Sequence, residues 1–335
     1  MGGGRPAATR TSALDPMAHA LQSAPPPAHA APPARALRGL YETTKPGITR
    51  LVTLTAVVGF ILAAPAREWT IAAFALAILG CVAGTWLSAA GANAINQFVE
   101  RDRDARMNRT MHRPIPSGRV QARRVLRTGL VLGGVGVGTL WIVNGIIPAL
   151  LALVCIVVYI LAYTPMKPWT PTSTLVGTIP GALPPLIGWT SASPEPGIDA
   201  LFQPAGLALV AIMTLWQIPH FLALAWMYRD DYARGGFRVL AVVDPQGMRT
   251  VYVMAFTAVL LIPATLAPVW LAPERVGAVY AAVSLISGLA FLFLVFRVAR
   301  RRDRAGARAV FFGSIIHLPL VLIAMTVESL VRWAC

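Results

Sequence analysis

Charge is scarce in this chain. Only 13% of its 335 residues are Asp, Glu, Lys or Arg, and 56% are hydrophobic, whereas an average soluble domain is roughly 25% charged. The length would allow two or more soluble domains, but this balance excludes them and favours one membrane bundle. Cysteine is sparse too. Cys81, Cys155 and Cys335 stand too far apart for a zinc site or a disulfide framework, and read as small apolar residues in or near helices. Residues 1–36 hold one acid, Asp15, among many Ala and Pro. They lack the apolar core of a secretory signal, so a disordered tail is expected there, followed by a single domain over 37–335.

The net charge of +15 would suit a nucleic-acid partner, but the basic residues lie in short loops between apolar runs, where they act as topology signals. No nucleic acid is expected. The stretch from Arg38 to Arg50 reads as an interfacial segment leading into the membrane. Nine apolar runs follow, at about 48–65, 70–97, 125–143, 146–164, 172–191, 204–227, 249–270, 277–297 and 309–331, each near the ~17–25 residues that cross a bilayer. With the N-terminus inside, the inner segments and adjoining helix ends hold all the basic residues except Arg67, Arg275 and Arg332. A miscounted span would scatter them. The expected fold is all-α: a polytopic bundle of nine transmembrane helices, N-terminus cytosolic and C-terminus external. Gly177, Gly181, Pro184, Pro185 and Gly188 interrupt the fifth run, which suits close helix packing or a broken helix lining a cavity.

Two inner loops carry the chemistry. The first begins where the second run ends, with Asn96, Glu100 and Asp104 at i, i+4 and i+8. Each step turns about 40°, so the three share one stripe if the helix continues. Hard oxygen ligands suit Mg²⁺, which takes one or two carboxylates plus substrate phosphate oxygens. Asp102 points roughly 160° away. These acids could instead be counter-charges for Arg101, Arg103 and Arg106 on a solvated helix end, but aligned acids at a membrane boundary are functional by default. Asp230 and Asp231, on the second loop, form another acidic pair, and two Mg²⁺ could sit between the clusters. Arg109 and Arg113, in a loop shaped by Pro and Gly, and Lys167, in another inner turn, suit diphosphate oxygens. His220 follows Pro219 in an apolar helix and is flanked by Trp216 and Phe221. A polar ring there needs a partner: it is a hydrogen-bonded structural histidine, or it faces a flat macrocycle or its iron. His317 sits similarly, with the structural reading favoured, and His112 belongs to the basic loop.

With these residues in view, the chain resembles the UbiA superfamily of intramembrane prenyltransferases. The superfamily's first motif, Asn-x-x-x-Asp-x-x-x-Asp, appears as Asn96-x-x-x-Glu100-x-x-x-Asp104, where glutamate still supplies carboxylate oxygens. Asn108-Arg109-Thr110, Arg113-Pro114, Trp216-Gln217-x-Pro219-His220-Phe221, Asp231-Tyr232 and the segment 181–189 are similar to the branch that farnesylates haem. The resemblance covers about residues 40–330. It departs at the second motif, often Asp-x-x-x-Asp: Gly235 stands four residues after Asp231, so a second metal would rely on Asp230 or on water.

The resemblance implies transfer of the farnesyl group of farnesyl diphosphate to a vinyl group of haem b, with Mg²⁺ as cofactor. It implies catalytic Asn96, Glu100, Asp104 and Asp231, with Asp230 joining them as metal ligands. Arg109, Arg113 and Lys167 become diphosphate clamps, and His220 and Trp216 haem-binding residues. Haem is a substrate here, not a resident group. A cell inner membrane with the site on its cytosolic side is implied in preference to a mitochondrial one, along with a downstream haem A synthase or oxidase-assembly partner. Two alternatives stay open: prenylation of a quinone-precursor aromatic acceptor, and a non-catalytic membrane transporter, since transporters also carry intramembrane acids and broken helices.

Overall fold

Helices α1 (Pro33–Thr43) and α2 (Pro46–Ala63) open a computed structural model that describes residues 33–193 and 197–335. The tail expected over 1–36 lies outside the described residues except for 33–36, which begin α1. The chain continues through α3 (Ile71–Asp104), α4 (Ala122–Asn144), α5 (Ile146–Val157), α6 (Ser173–Ala182), α7 (Pro184–Ala192) and α8 (Pro204–Met227). Short helices α9 (Arg229–Arg234) and α10 (Leu240–Val243) lead to α11 (Met248–Leu266), α12 (Pro268–Leu271), α13 (Ala278–Arg301) and α14 (Arg304–Ala334). No strand occurs among the described residues. Among the described residues, eight helical stretches are long and apolar enough to cross a membrane. Large side chains such as Ile142, Leu161, Phe293 and Ile316 cover the outside of the bundle, an apolar surface that water would not tolerate on a soluble monomer. The chain is a multi-pass membrane protein.

The run at 172–191 is not one helix. It is built as α6 and α7, joined at Leu183. Pro184 has no N–H to continue the ladder of α6, yet its fixed φ suits the first turn of a new helix. Pro185 and Gly188 of α7 then lie directly on α2, where a methyl at Gly59 would strike the Pro185 carbonyl and one at Gly188 the Ala56 carbonyl. A proline also reshapes α5. Pro165 has no N–H and crowds the turn before it, and Val158–Tyr163 widens into a π-helical stretch. There Thr164 returns both its N–H and, at 2.7 Å, its hydroxyl to the Tyr159 carbonyl.

Two features of α3 position the site. Thr70 caps its start by accepting the Ala73 N–H at 3.2 Å, and its 34 residues span about 51 Å. That exceeds the ~30 Å hydrocarbon core, so a helix starting near one face carries its C-terminal turns past the other. Its seam with α4 is glycine on glycine: a methyl at Gly91 would strike the Gly133 backbone, and one at Gly136 the Ser88 backbone. The main core, with Phe60, Trp189, Trp216, Leu222, Met254 and Leu318, lies on the other side of α3, among α2, α7, α8, α11 and α14.

Candidate active site

Asn96, Glu100 and Asp104 occupy one face of α3, only 0%, 6% and 1% exposed. A different segment brings a cation to each. Lys45, between α1 and α2, donates to Asn96 Oδ1 at 2.6 Å. Lys167, directly after the π-helical stretch and the short turn Thr164–Met166 that continue α5, donates to Glu100 Oε1 at 2.7 Å. Arg113, in the loop after α3, donates to Asp104 Oδ2 at 2.6 Å. The Asn96 amide is oriented from its other side, giving an N–H to Thr164 Oγ1 at 3.0 Å. Buried carboxylates need such partners, but the set is incomplete: Asp104 Oδ1 is buried and accepts no hydrogen bond among the described residues.

Lys45 was not among the residues the sequence pointed to. It stands at φ 49°, a left-handed conformation uncommon for a residue with a Cβ, which ends α1 and lets Pro46 open α2. A compositional signal was present. The chain has only two lysines, Lys45 and Lys167, and both amines meet the α3 stripe. Their environments differ. Burial, helped by Arg113, lowers the Lys45 ammonium from 10.5 to about 7 against the pull of Glu100. Burial would lower Lys167 as well, but the Glu100 carboxylate beside it raises it well above 10.5, and the Tyr163 ring centroid lies 4.3 Å from Nζ. Lys167 is therefore a permanent cation.

The second loop reaches the first through Asp231. Its two oxygens accept the backbone N–H groups of Asn108 and Arg109, each at 3.0 Å, and Arg234 pairs with the same carboxylate. Burial pushes this carboxyl up, but the Arg109 N–H, Arg234 and the Asn108 N–H together hold it below 3.8. Among the described residues Asp231 thus bonds the loop, not the stripe. Arg103 adds a second tie, donating to the Gly235 and Gly236 carbonyls at 3.1 Å. Arg109 lies over the Tyr228 and Tyr232 rings, at 5.2 and 5.7 Å, with no hydrogen bond from its guanidinium among the described residues. Asp230 and Asp102 face outward, 86% and 76% exposed, beside Arg229 and Arg101. His112 is exposed on the basic loop. No three of His, Cys, Asp and Glu converge among the described residues, so a cation here would need ligands from elsewhere.

His220 lies seven residues before the end of α8, about 10 Å along the helix axis. Its ring stacks on Trp216 (4.9 Å between centroids) and on Phe311 (4.8 Å), and Phe221 meets it edge-on. Its Nδ1 is 2.7 Å from Ser314 Oγ. Trp216 anchors the same seam, donating to the Ser314 carbonyl at 2.8 Å. His317, 2% exposed, has Nδ1 3.0 Å from Ser287 Oγ and stacks on Phe291.

Chemically, the α3 stripe offers hard oxygens ringed by cations, which suits a metal-bound polyanion. Residues 52–316 match the model of the UbiA prenyltransferase family. A protoheme IX farnesyltransferase of Solibacter usitatus (strain Ellin6076) is 39% identical over 291 residues, covering 85% of this chain and 96% of that protein. One from Anaeromyxobacter dehalogenans (strain 2CP-C) is 39% identical over 289 residues, covering 86% and 93%. Among solved structures, digeranylgeranylglyceryl phosphate synthase superposes with a TM-score of 0.70 at 16% identity, covering 88% of this chain and 98% of that one. A UbiA homolog from Archaeoglobus fulgidus bound to DMAPP and Mg²⁺ gives a TM-score of 0.58 at 14% identity, covering 86% and 99%. At such identities the two structures establish a shared fold.

Proposed function

The chain belongs to the UbiA prenyltransferase family, and on that premise we propose that it transfers the farnesyl group of farnesyl diphosphate to a vinyl group of haem b. The products are haem O and diphosphate. The observation that carries the reading is the stripe of Asn96, Glu100 and Asp104 with a cation from a separate segment at each member. The protoheme IX farnesyltransferase relatives, similar over nearly their whole length, support haem as acceptor.

The donor set fits Mg²⁺: two carboxylates and an amide oxygen on one face, with Asp104 Oδ1 still lacking a donor. Asn96, Glu100 and Asp104 would hold Mg²⁺ beside the substrate phosphates, and the ion would neutralise the charge that builds on the departing diphosphate. Lys45, Lys167 and Arg113 present N–H donors around the same space and would bind and orient the diphosphate, with Arg109 reaching it from the loop. These donors stabilise the leaving group as its bond to the allylic carbon breaks. The apolar interior takes the isoprenoid tail and keeps water from the allylic cation until the vinyl carbon attacks it. Water then adds to the carbon left cationic by that attack and loses a proton, which completes the hydroxyethylfarnesyl side chain. Trp216 and His220 form the haem side. Asp231 holds the Asn108–Arg109 loop in place, and the exposed Asp230 is assigned no ligand role.

Counting α6 and α7 as one span gives nine, with the N-terminus and this site on the cytosolic side of a bacterial inner membrane. Haem O would pass to a haem-processing enzyme or to oxidase assembly. The test is detergent-purified protein incubated with haem b, farnesyl diphosphate and Mg²⁺, with haem O read by mass spectrometry. Haem O that disappears with EDTA and with Glu100→Gln is the expected result. Diphosphate release only with other aromatic acceptors would reject haem as the acceptor.

A further inference from the structure

The His220 ring is enclosed in a specific way. Trp216 and Phe311 both stack on it at small interplanar angles, 21° and 26°, and the two are not in ring contact with each other, so they cover opposite faces. Phe221 meets the ring at 62°. The Nδ1 corner is occupied by Ser314 Oγ. What remains is the edge carrying Nε2, which makes no hydrogen bond among the described residues, on a ring only partly buried.

The proton on Nδ1 follows from counting hydrogens. Ser314 is 0% exposed, and its hydroxyl has one proton and lone pairs that can accept. That proton has a destination: the Phe311 carbonyl lies 2.6 Å from Oγ, on the preceding turn of α14. Towards His220, 2.7 Å away, Ser314 can then only accept. An accepting hydroxyl requires a donating Nδ1–H, and a neutral imidazole with a proton on Nδ1 has its lone pair on Nε2. Trp216 reinforces the arrangement by donating to the Ser314 carbonyl at 2.8 Å, which fixes the serine's backbone relative to α8.

We propose that Ser314 is a positioning residue that fixes His220 in its Nδ1–H tautomer and so presents an Nε2 lone pair, at the open edge of an aromatic slot, to the iron of the haem substrate. The role of the lone pair rests on the haem reading above; the tautomer lock does not. The logic is that of a metal-binding histidine oriented through its other nitrogen, with a back-bonded serine in place of a carboxylate.

The experiment uses full-length protein labelled with ¹⁵N-histidine in detergent, in wild type, Ser314→Ala and Ser314→Thr, with His220→Gln to assign the signal. In wild type, His220 should show a protonated Nδ1 and a bare Nε2. Threonine keeps the hydroxyl and should keep that pattern, whereas alanine should move the proton partly or wholly to Nε2. His317, held by Ser287 in a similar contact, serves as an internal check that the bundle is folded. Ferric haem added to wild type should perturb Nε2 and shift the Soret band, with apparent affinity falling roughly two- to tenfold in Ser314→Ala, the worth of one hydrogen bond. Wild-type His220 protonated at Nε2, or a tautomer unchanged in Ser314→Ala, would overturn the lock. Correct tautomers, with haem perturbing neither wild type nor His220→Gln differently, would leave the lock standing and remove haem from this slot.

Discussion

Asp231→Asn separates two readings of the second loop. In the structure this carboxylate takes one N–H from Asn108 and one from Arg109. A hydrogen bond to a charged group contributes about 1.5–3 kcal/mol. Asparagine keeps one acceptor oxygen but turns an NH₂ towards the other N–H, so one of the two bonds is lost. Arg234, 48% exposed, adds little through its ion pair in solvent. A loss of ~1.5–3 kcal/mol corresponds to roughly 10- to 100-fold in the docking of the 107–110 loop. Because Arg109 rides on that loop, the KM for farnesyl diphosphate should rise by a similar factor, while the Mg²⁺ concentration for half-maximal rate stays put. The assay is diphosphate release at varied farnesyl diphosphate and varied Mg²⁺, with Glu100→Gln as the control whose release is lost at the wild-type optimum of Mg²⁺. An Asp231→Asn protein needing more Mg²⁺ at an unchanged KM would refute the clamp and make Asp231 a metal ligand, as the family pattern suggests. Acid provides a cross-check. The folded carboxyl lies below its ordinary 3.8, so its stabilisation is complete above that pH and lost only as pH falls below it. The clamp should therefore contribute no limb to the activity profile near neutrality.

Other tests address neighbouring features. Lys45→Met removes one charge-assisted contact and should lower kcat/KM by about 10- to 100-fold. Since burial lowers the Lys45 ammonium to about 7, binding of inorganic pyrophosphate to metal-free protein should take up a proton above that pH. Affinity should then fall by up to about tenfold per pH unit, and calorimetry in buffers of differing ionisation enthalpy should lose the uptake in Lys45→Met. Glu100→Gln leaves the buried Lys167 ammonium without its counter-ion and should cost about 3–5 kcal/mol of stability. Glu100→Gln combined with Lys167→Met should recover most of the thermal midpoint in detergent but none of the activity. Gly188→Ala places a methyl against the Ala56 carbonyl of α2 and should cost about 1–3 kcal/mol or more, seen as a lowered midpoint.

The α3 stripe was legible because helical period alone aligns positions 96, 100 and 104, and the positive-inside pattern was enough to bring the Asp231 loop to the same side as Arg109. Partnerships were not legible. Nothing in the spacing assigns Lys167 to Glu100 and Arg113 to Asp104, because those pairings depend on where α5 ends and how the loop after α3 folds back. Lys45 was missed because it reaches Asn96 across 51 residues of sequence from a turn whose left-handed backbone no periodicity reveals. Asp231 drew a ligand reading by its residue type, whereas its contacts in the structure are to two backbone N–H groups, which carry no sequence signature. The fifth run read as one span on hydropathy, but Pro184 divides it into α6 and α7 because a proline can start a helix more readily than continue one.

The glycine seam between α3 and α4 has a consequence for where mutations are felt. Two helices whose backbones touch have no side-chain layer to absorb a displacement. Sliding α3 by one residue would advance it about 1.5 Å and rotate it about 100°, putting Ala83 or Thr85 in the place of Gly84 and Ala90 or Ala92 in the place of Gly91, where no Cβ fits. The helix behaves as a keyed shaft: its rotation, and so the bearing of Asn96, Glu100 and Asp104, is set at Gly84, Gly91 and Gly136, one to three turns or more from the chemistry. A substitution at Gly91 or Gly136, surrounded by helix and far from any substrate, should therefore register first as a fault in catalysis.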